Sequence, residues 1–415
     1  MSMRNRVLAW LGCLAMILSG IPGGNGARAE WQEETKNGKV VRRTWVDETG
    51  KEAVSPEGYA VVTMSYSNGT TVKEKYFDLD GNPAMAMGGY YGRILVYGNR
   101  HRLEEVTYID EEGGRMDCSS GYARVRTVYT STGRVTKITY FDSTNDMVFV
   151  PSVGYAQVKN DYRGSTLTKT SYYDENKKLI DSPLGYAVMI QTVNKNNFIT
   201  GASFQHADGS PAVSPEGWAS MKREMDRRNR EISIKYYDLD GNLMDRGGYA
   251  YEVRDWDSDK LCTIDRYDVQ DQQIPMGPGY MSLRRELNGK GQVYRETCLD
   301  QNGVVTENAE GYAICRYEYD PQGRLTKVVY EDSMGAPKEK NGGYAAYQDV
   351  LDEAGFTLSR TYLSKTMQRT DIAEGYCEIR YQYDGSHQVS QTEYYTADGK
   401  LLKSVVNTGG VNLWK

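Results

Sequence analysis

Two stretches of the chain have similar sequences: residues 236–250 are YYDLDGNLMDRGGYA, and residues 172–187 are YYDENKKLIDSPLGYA. Each begins with an aromatic pair, passes through an aspartate-containing turn and ends at Gly-Tyr-Ala. A glycine followed by tyrosine or tryptophan occurs eleven times from Gly58 to Tyr376, and successive copies are always 31 to 33 residues apart. This regular period indicates about twelve repeat units, each burying its apolar face only against its neighbours.

The pattern inside a repeat predicts β-strands. In residues 311–345, alternating Ala313, Cys315, Tyr317 and Tyr319 lead to the turn Asp-Pro-Gln-Gly at residues 320–323, after which Arg-Leu-Thr-Lys-Val-Val-Tyr runs back. Proline fixes φ and glycine accepts positive φ, so this turn joins two strands into a hairpin. A second turn follows the returning strand. Since no segment sustains an apolar helical period, the fold class is all-β, forming a solenoid or a spiralling antiparallel sheet.

The N-terminus has the pattern of a secretory signal peptide. Arg4 and Arg6 precede an apolar run at residues 7–21, which ends before Ala27-Arg28-Ala29. The run of about 15 residues is shorter than the roughly 18 to 20 that span a bilayer, so we expect a cleaved signal and no membrane span. The predicted organisation is therefore a signal peptide at 1–29, a repeat array at 30–403 and a C-terminal tail at 404–415.

Composition narrows the classes of partner. The net charge is −6, and the predicted signal removes only positive charge, so we expect no nucleic-acid partner. Five cysteines follow the signal, an odd number at wide spacing, which indicates small core residues more than disulfides or a zinc site. Tyrosine is in large excess, with 34 tyrosines against 6 phenylalanines, so amphipathic rings must supply much of the buried area.

The repeat sequence resembles the repeats of two protein families. Residues 317–326 (YEYDPQGRLT) and 236–242 (YYDLDGN) resemble the YD repeats of bacterial RHS-type surface and secreted proteins, whose strands coil into an extended β-sheet. The 32-residue period and the Gly-Tyr-Ala ending differ from the usual YD unit. The Tyr-Tyr-Asp-x-x-Gly wording is also similar, more loosely, to the aromatic β-hairpin repeats of cell-wall-binding and glucan-binding proteins. Either resemblance implies a non-catalytic exported repeat protein of bacterial origin.

The returning strand contains two aromatic-rich columns that point to opposite faces, because successive strand residues alternate. We interpret the first column as the core stack; its members are Trp45, Tyr76, Tyr108, Tyr140, Tyr172, Phe204, Tyr236, Tyr267, Cys298, Tyr330, Tyr362 and Tyr394. The next residue in each strand is mixed in character and suits a partly exposed face. Its aromatic members, Phe77, Phe141, Tyr173, Tyr237 and Tyr395, are the candidate ligand-binding residues, as flat platforms for sugars, although they could instead pack against neighbouring strands. The Gly-Tyr tyrosines are predicted to be structural.

Other site chemistries have less support in the sequence. The Asp-Leu-Asp-Gly-Asn stretches at residues 78–82 and 238–242 lack the full order of a calcium loop and fit hairpin turns. The three histidines occupy unrelated repeat positions, so no catalytic triad is indicated. We therefore expect a secreted or surface-displayed protein with no catalytic residues, metal site or cofactor. Its predicted partner is cell-envelope or extracellular polysaccharide. The alternative is a protein-interaction or adhesion rod, or a structural spacer, whose partner is another surface protein.

Overall fold

A computed structural model of the chain describes residues 29–406. The first 28 residues, which make up nearly all of the predicted signal peptide, and residues 407–415 of the predicted tail lie outside this range. The described part is an all-β chain of antiparallel hairpins, as the sequence predicts. None of its helices is long and apolar enough to cross a membrane.

The chain divides into two compact units. Unit 1 comprises residues 29–158 and 173–177, and unit 2 comprises residues 159–172 and 178–406. The strands of unit 1 are β1 (Glu30–Lys36), β2 (Lys39–Val46), β3 (Val61–Ser67), β4 (Thr71–Phe77), β5 (Gly92–Tyr97), β6 (Leu103–Ile109), β7 (Arg124–Tyr129) and β8 (Val135–Phe141). A 3-10 turn at Asn99–His101 joins β5 to β6. Strands β9 (Gln157–Arg163) and β10 (Thr166–Tyr173) contain the residues at which the sequence passes between the units.

The remaining strands all belong to unit 2. They are β11 (Val188–Val193), β12 (Ile199–Gln205), β13 (Pro211–Ala212), β14 (Ser220–Met225), β15 (Glu231–Tyr237), β16 (Tyr251–Ser258), β17 (Leu261–Tyr267), β18 (Gln273–Ile274), β19 (Ser282–Leu287), β20 (Val293–Leu299), β21 (Ile314–Tyr319), β22 (Leu325–Glu331), β23 (Ala346–Leu351), β24 (Thr357–Leu363), β25 (Glu378–Tyr383), β26 (Val389–Tyr395) and β27 (Leu401–Val406).

In most repeats an aspartate after the core-column strand forms the second turn. Asp78 Oδ1 accepts the backbone N–H groups of Asp80 at 2.9 Å and Asn82 at 2.8 Å. Gly81 in the same turn has φ of 84°, a conformation that glycine adopts without steric cost. Asp300 Oδ1 accepts the N–H groups of Asn302 and Val304 in the same way, at 2.8 and 2.9 Å. The recurring aspartate is therefore a turn-forming residue.

The antiparallel register places the two columns on opposite faces of the sheet. Tyr76 lies opposite Val62 and Phe77 lies opposite Val61, so the two side chains of the aromatic pair point apart. We call the side of Tyr76 the ladder face and the side of Phe77 the second face.

The register corrects one member of the predicted core column. Asp268 accepts the N–H groups of Gln270 and Gln272 and so starts the same turn as Asp238. The residue before that aspartate, Tyr267, therefore belongs to the second face, where it stacks on Tyr251 at 5.0 Å. Arg266 occupies the ladder-face position. The sequence pattern assigned that position to Tyr267 instead, because Tyr267 is the aromatic residue of this strand segment.

The core of each unit is a ladder in which Gly-Tyr rings alternate with rings of the first column. In unit 1 the ladder starts at Trp31 of β1, which belongs to neither set, and continues with ring centroids 4.1 to 6.1 Å apart through Tyr59, Tyr76, Tyr90, Tyr108, Tyr122, Tyr140 and Tyr155. Unit 2 has two such runs, with centroids 4.7 to 6.1 Å apart: Tyr172, Tyr186, Phe204, Trp218 and Tyr236, then Tyr312, Tyr330, Tyr344, Tyr362, Tyr376 and Tyr394. This placement confirms the interpretation of the first column as the core stack, with the Arg266 correction, and of the Gly-Tyr tyrosines as structural.

The cysteines are small core residues, as predicted. All five in the described part are buried free thiols: Cys118, Cys262, Cys298, Cys315 and Cys377. Burial raises the pKa of the Cys298 thiol to about 11, so this group is uncharged at neutral pH.

Candidate interaction surface

The five predicted sugar platforms do not form an exposed row. Phe77, Phe141, Tyr173, Tyr237 and Tyr395 all lie on the second face, and every one is half-buried. The segment that follows each turn covers part of this column, because it returns alongside the strand; Phe77 bridges to Pro83 and Tyr237 bridges to Leu243. The sequence pattern identified the face correctly but not its neighbours, which come from turn geometry.

Two of the five rings are covered by arginines of the paired strand. The Arg124 guanidinium lies 4.1 Å from the ring centroid of Phe141, and that of Arg380 lies 4.3 Å from the ring centroid of Tyr395. The Tyr395 hydroxyl also donates to Glu393 Oε2 at 2.8 Å. These contacts occupy the ring faces and hydroxyl that a sugar would need.

A different set of aromatic residues lies on the ladder face and is half-buried to a similar degree. Within unit 2 these residues alternate along the strands with arginines, and we call the whole set the aromatic–arginine band. Its members are Arg254, Trp256, Arg285, Tyr317, Tyr347, Arg360 and Tyr381. Each of them lies an even number of residues from a ladder-face position on its own strand, or directly opposite such a position on the paired strand, so its side chain points to the ladder face.

Carboxylates on the same face hold the arginines of the band. Arg360 binds Asp349 through two parallel contacts, with its Nε and Nη2 each 2.8 Å from one carboxylate oxygen. Glu296 accepts two contacts from Arg285 and a hydrogen bond from the Tyr317 hydroxyl at 2.7 Å. The bidentate Arg360–Asp349 pair fixes the planar guanidinium in one orientation, and both Arg285 contacts converge on Oε1 of Glu296.

The charge states in the band are fixed at neutral pH. Burial raises the pKa values of the Tyr347 and Tyr381 phenols above their usual range, so both rings remain neutral donors and acceptors. The hydrogen bond to Asp349 raises the pKa of Arg360, which stays a cation with its charge compensated. The band therefore offers flat rings and oriented guanidinium groups with little net charge.

This composition is typical of protein–protein interfaces. Tyrosine, tryptophan and arginine are enriched at interface centres, because they bury large areas while still forming hydrogen bonds. The sequence analysis missed the band, although alternation in RYEYD at 316–320 and IRYQYD at 379–384 places its tyrosines on the face of the core column. The signal was present in the first strand of each hairpin, whereas the search concentrated on the returning strand.

Tyrosines at the hairpin tips have a structural role. The hydroxyls of Tyr66, Tyr129 and Tyr383 donate to the carbonyl oxygens of Val40, Leu103 and Thr357 at 2.7 to 2.8 Å. Each of these bonds reaches back 26 residues to the start of the preceding returning strand. Adjacent hairpins are thereby joined at their tips as well as through the ladder.

Polar clusters elsewhere have local partners. Among residues 29–406, no three His, Cys, Asp or Glu side chains are grouped so that they could hold a metal ion. His206 Nδ1 lies 2.6 Å from Asp181 Oδ2, and the His387 ring stacks on Phe356 with centroids 4.8 Å apart.

Comparison with known proteins gives only structural neighbours. No protein-family model and no curated protein sequence matches the chain. Its fold is similar to part of the crystal structure of TcdB2-TccC3-TEV, with 12% identity, a TM-score of 0.36, and coverage of 91% of this chain and 19% of that one. It is also similar to part of the Photorhabdus luminescens Tc holotoxin pore carrying the TccC3-D651A mutation, with 11% identity, a TM-score of 0.22, and coverage of 89% and 22%.

The chain thus spans about a fifth of the length of the solved chains it matches. The repeat itself carries the classification, through its tyrosine ladder, its paired hairpin strands and the aspartate that forms most of the second turns. In these features the chain is an RHS/YD-like, all-β repeat protein.

Proposed function

We propose that this chain is a non-catalytic structural repeat protein that acts at or outside the bacterial cell surface and contacts another protein through the aromatic–arginine band. The observation that carries the proposal is the composition of the band, in which the half-buried rings of Trp256, Tyr317, Tyr347 and Tyr381 lie on the ladder face next to arginines that carboxylates already orient. The predicted signal peptide supports an exported location.

Polysaccharide binding receives no comparable support. The five rings predicted to bind sugars are half-buried, and the guanidinium groups of Arg124 and Arg380 cover two of them. The rings of the band are exposed to a similar degree, and the guanidinium groups of Arg360 and Arg230 lie over Tyr347 and Trp256 at 4.1 and 4.9 Å. What distinguishes the band is its composition, because tyrosine, tryptophan and arginine are the residues enriched at the centres of protein–protein interfaces. Protein contact is therefore the function that the arrangement of side chains favours.

A site-specific photocrosslinking experiment tests this assignment. A photoreactive phenylalanine analogue replaces Tyr347 in one variant and Tyr237 in a matched control, so that each position keeps an aromatic ring. Illumination of cells that export the chain should give a discrete protein adduct from position 347 and a weaker one, or none, from position 237. Adducts only from position 237, or retention on envelope polysaccharide with no protein adduct from position 347, would overturn the proposal.

A further inference from the structure

The junction between strands β15 and β16 in unit 2 has unusually little backbone pairing. A single pair of residues, Ser233 and Val253, is in register across it. The junctions β20 to β21, β22 to β23 and β24 to β25 each have three registered pairs, and β17 to β19 has five. Since each repeat contacts only its neighbours, one weak junction lowers the coupling between the repeats that precede it and the repeats that follow it.

The aromatic ladder is interrupted at the same place. Trp218 and Tyr236 form the last ring contact of the first run, with centroids 5.2 Å apart. Beyond it, Arg246 lies over Tyr236 at 3.9 Å, and Arg266 lies over Tyr249 at 4.4 Å. Arg266 occupies the column position that an aromatic residue fills in every repeat of unit 2's first run.

Most side-chain contacts that cross this junction involve charged groups. Glu231 of β15 pairs with Arg254 of β16, Arg228 lies 2.7 Å from Asp259, and Lys235 lies 3.6 Å from Asp271. The chain of ion pairs continues on both sides, because Glu231 also pairs with Arg223, while Arg254 and Arg266 both pair with Glu252.

The Arg228–Asp259 pair is open to solvent and the Lys235–Asp271 pair is open on its acidic side, whereas Arg254 and Glu231 are only 24% and 28% exposed. The side chains of Arg228 and Asp259 are 65% and 66% exposed, and Asp271 is 67% exposed. Exposed pairs stabilise a protein only weakly and are screened by salt, unlike the packing of aromatic rings. The junction should therefore weaken when the ionic strength rises, while the ladder junctions should not.

The connection across the junction is also accessible. Residues 245–248 (Asp-Arg-Gly-Gly) are exposed, and Gly247 and Gly248 have φ of 97° and 98°. Two consecutive residues in a conformation that L side chains rarely adopt are readily accommodated only by glycine.

We propose that the β15–β16 junction is a salt-sensitive joint, at which unit 2 opens into two blocks with strands β11–β15 on one side and β16–β27 on the other. The joint combines the single registered pair, the interrupted ladder and the solvent-exposed ion pairs. It is a conformational device that does not depend on the identity of any binding partner.

Hydrogen exchange on the full chain at low and high salt tests the joint. Amides of β15 and β16 should be at least about tenfold less protected than those of β22 and β23, and added salt should widen the gap. Brief trypsin treatment in high salt should cut first after Arg246. Equal protection at the two junctions, no response to salt, or a first cut elsewhere would overturn the proposal.

Two variants separate the joint from a general loss of stability. Asp259→Asn changes an exposed side chain, so the fold should persist while low-salt protection of β16 falls to its high-salt level. Lys338→Met, which breaks the Lys338–Glu307 pair beside the second ladder run, is the control and should leave the β15–β16 amides unchanged. If both variants alter β16 protection equally, or neither alters it, the joint does not exist.

Discussion

Tyr59 stacks on Tyr76 with ring centroids 4.1 Å apart and planes only 4° from parallel. Tyr59 belongs to a Gly-Tyr pair and Tyr76 to the column of a returning strand, so the contact joins the two recurring aromatic positions of a repeat. Tyr76 is 2% exposed, and its hydroxyl donates to Glu74 Oε2 at 3.2 Å. A ring in this position stabilises the fold and is inaccessible to a ligand.

Truncating Tyr76 should therefore be costly. Tyr76→Ala removes a fully buried ring and should lower the free energy of unfolding by about 3 to 5 kcal/mol. Tyr76→Phe keeps the ring and loses only the hydroxyl bond, so its cost should be about 1 to 2 kcal/mol. Denaturant unfolding of both variants measures the difference, and similar losses from the two would show that the hydroxyl, not the ring, stabilises this site.

Truncating a second-face ring should cost less. Tyr237 is half-buried, so Tyr237→Ala should lower the free energy of unfolding by less than about 2 kcal/mol. The same denaturant experiment, with Phe204→Ala as a buried ladder control in the same unit, ranks the two faces. A loss at Tyr237 as large as that at Phe204 would mean that the second face is as well packed as the ladder.

The turn aspartates should make the protein acid-sensitive. Backbone N–H groups hold the pKa values of Asp238 and Asp300 below their usual range. Because the folded pKa lies below the unfolded one, the stabilisation is complete above about pH 4 and disappears as the pH falls through the folded value.

Thermal unfolding of Asp300→Asn and Asp300→Ala from pH 7 to pH 3 tests this dependence. The asparagine variant keeps an acceptor oxygen without a titrating group, so its melting temperature should fall less steeply in acid than that of the native chain. The alanine variant loses the acceptor and should melt lower than both at pH 7. An unchanged acid slope in the asparagine variant would remove Asp300 from the acid response.

The buried phenols should make the protein sensitive to alkali as well. Burial raises the pKa values of Tyr186 and Tyr312 to about 12. Their folded pKa lies above the unfolded value near 10, so their contribution to stability is complete below pH 10 and is lost as the pH rises toward 12. Tyrosinate absorbance and far-ultraviolet circular dichroism should show a delayed ionisation that coincides with unfolding. Ionisation of all tyrosines near pH 10 with the fold intact would contradict the buried ladder.

The pair formed by Asp349 and Arg360 should be worth more than an exposed ion pair. Asp349→Ala leaves a guanidinium whose side chain is 34% exposed, so part of its charge is rehydrated. We expect a loss of about 2 to 3 kcal/mol, below the 3 to 5 typical of a fully buried pair. Removing both partners in Asp349→Ala/Arg360→Met should recover part of that loss in urea unfolding, and a strictly additive double variant would show that the pair is uncoupled.

Much of the fold was predictable from the sequence, because its signals are periodic. The Gly-Tyr spacing revealed the repeat, the Asp-x-x-Gly turns revealed the hairpins, and the aromatic column revealed the core face. The core position at Arg266 was assigned wrongly because the turn after the strand sets the register of the strand. The nearest aromatic residue, Tyr267, lies one position away from the core position. A shift of one residue exchanges the faces of a strand.

The candidate site was less predictable, because exposure depends on contacts between repeats. Phe141 and Tyr395 look like free rings in sequence, but arginines of the paired strands cover them. The rings of Tyr347 and Tyr381 follow no special turn or motif, and the sequence likewise does not show that the Arg360 guanidinium lies over the Tyr347 ring at 4.1 Å. Nothing in a single strand's sequence shows which neighbouring side chain covers a ring.

A double-mutant cycle on Tyr59 and Tyr76 tests the central claim most directly, namely that the recurring tyrosines hold the repeats together as a ladder. Unfolding free energies of Tyr59→Leu, Tyr76→Leu and the double variant give the coupling between the two rings. The stacked geometry predicts a coupling of about 0.5 to 1.5 kcal/mol beyond simple burial. Losses that add with no coupling would contradict the ladder.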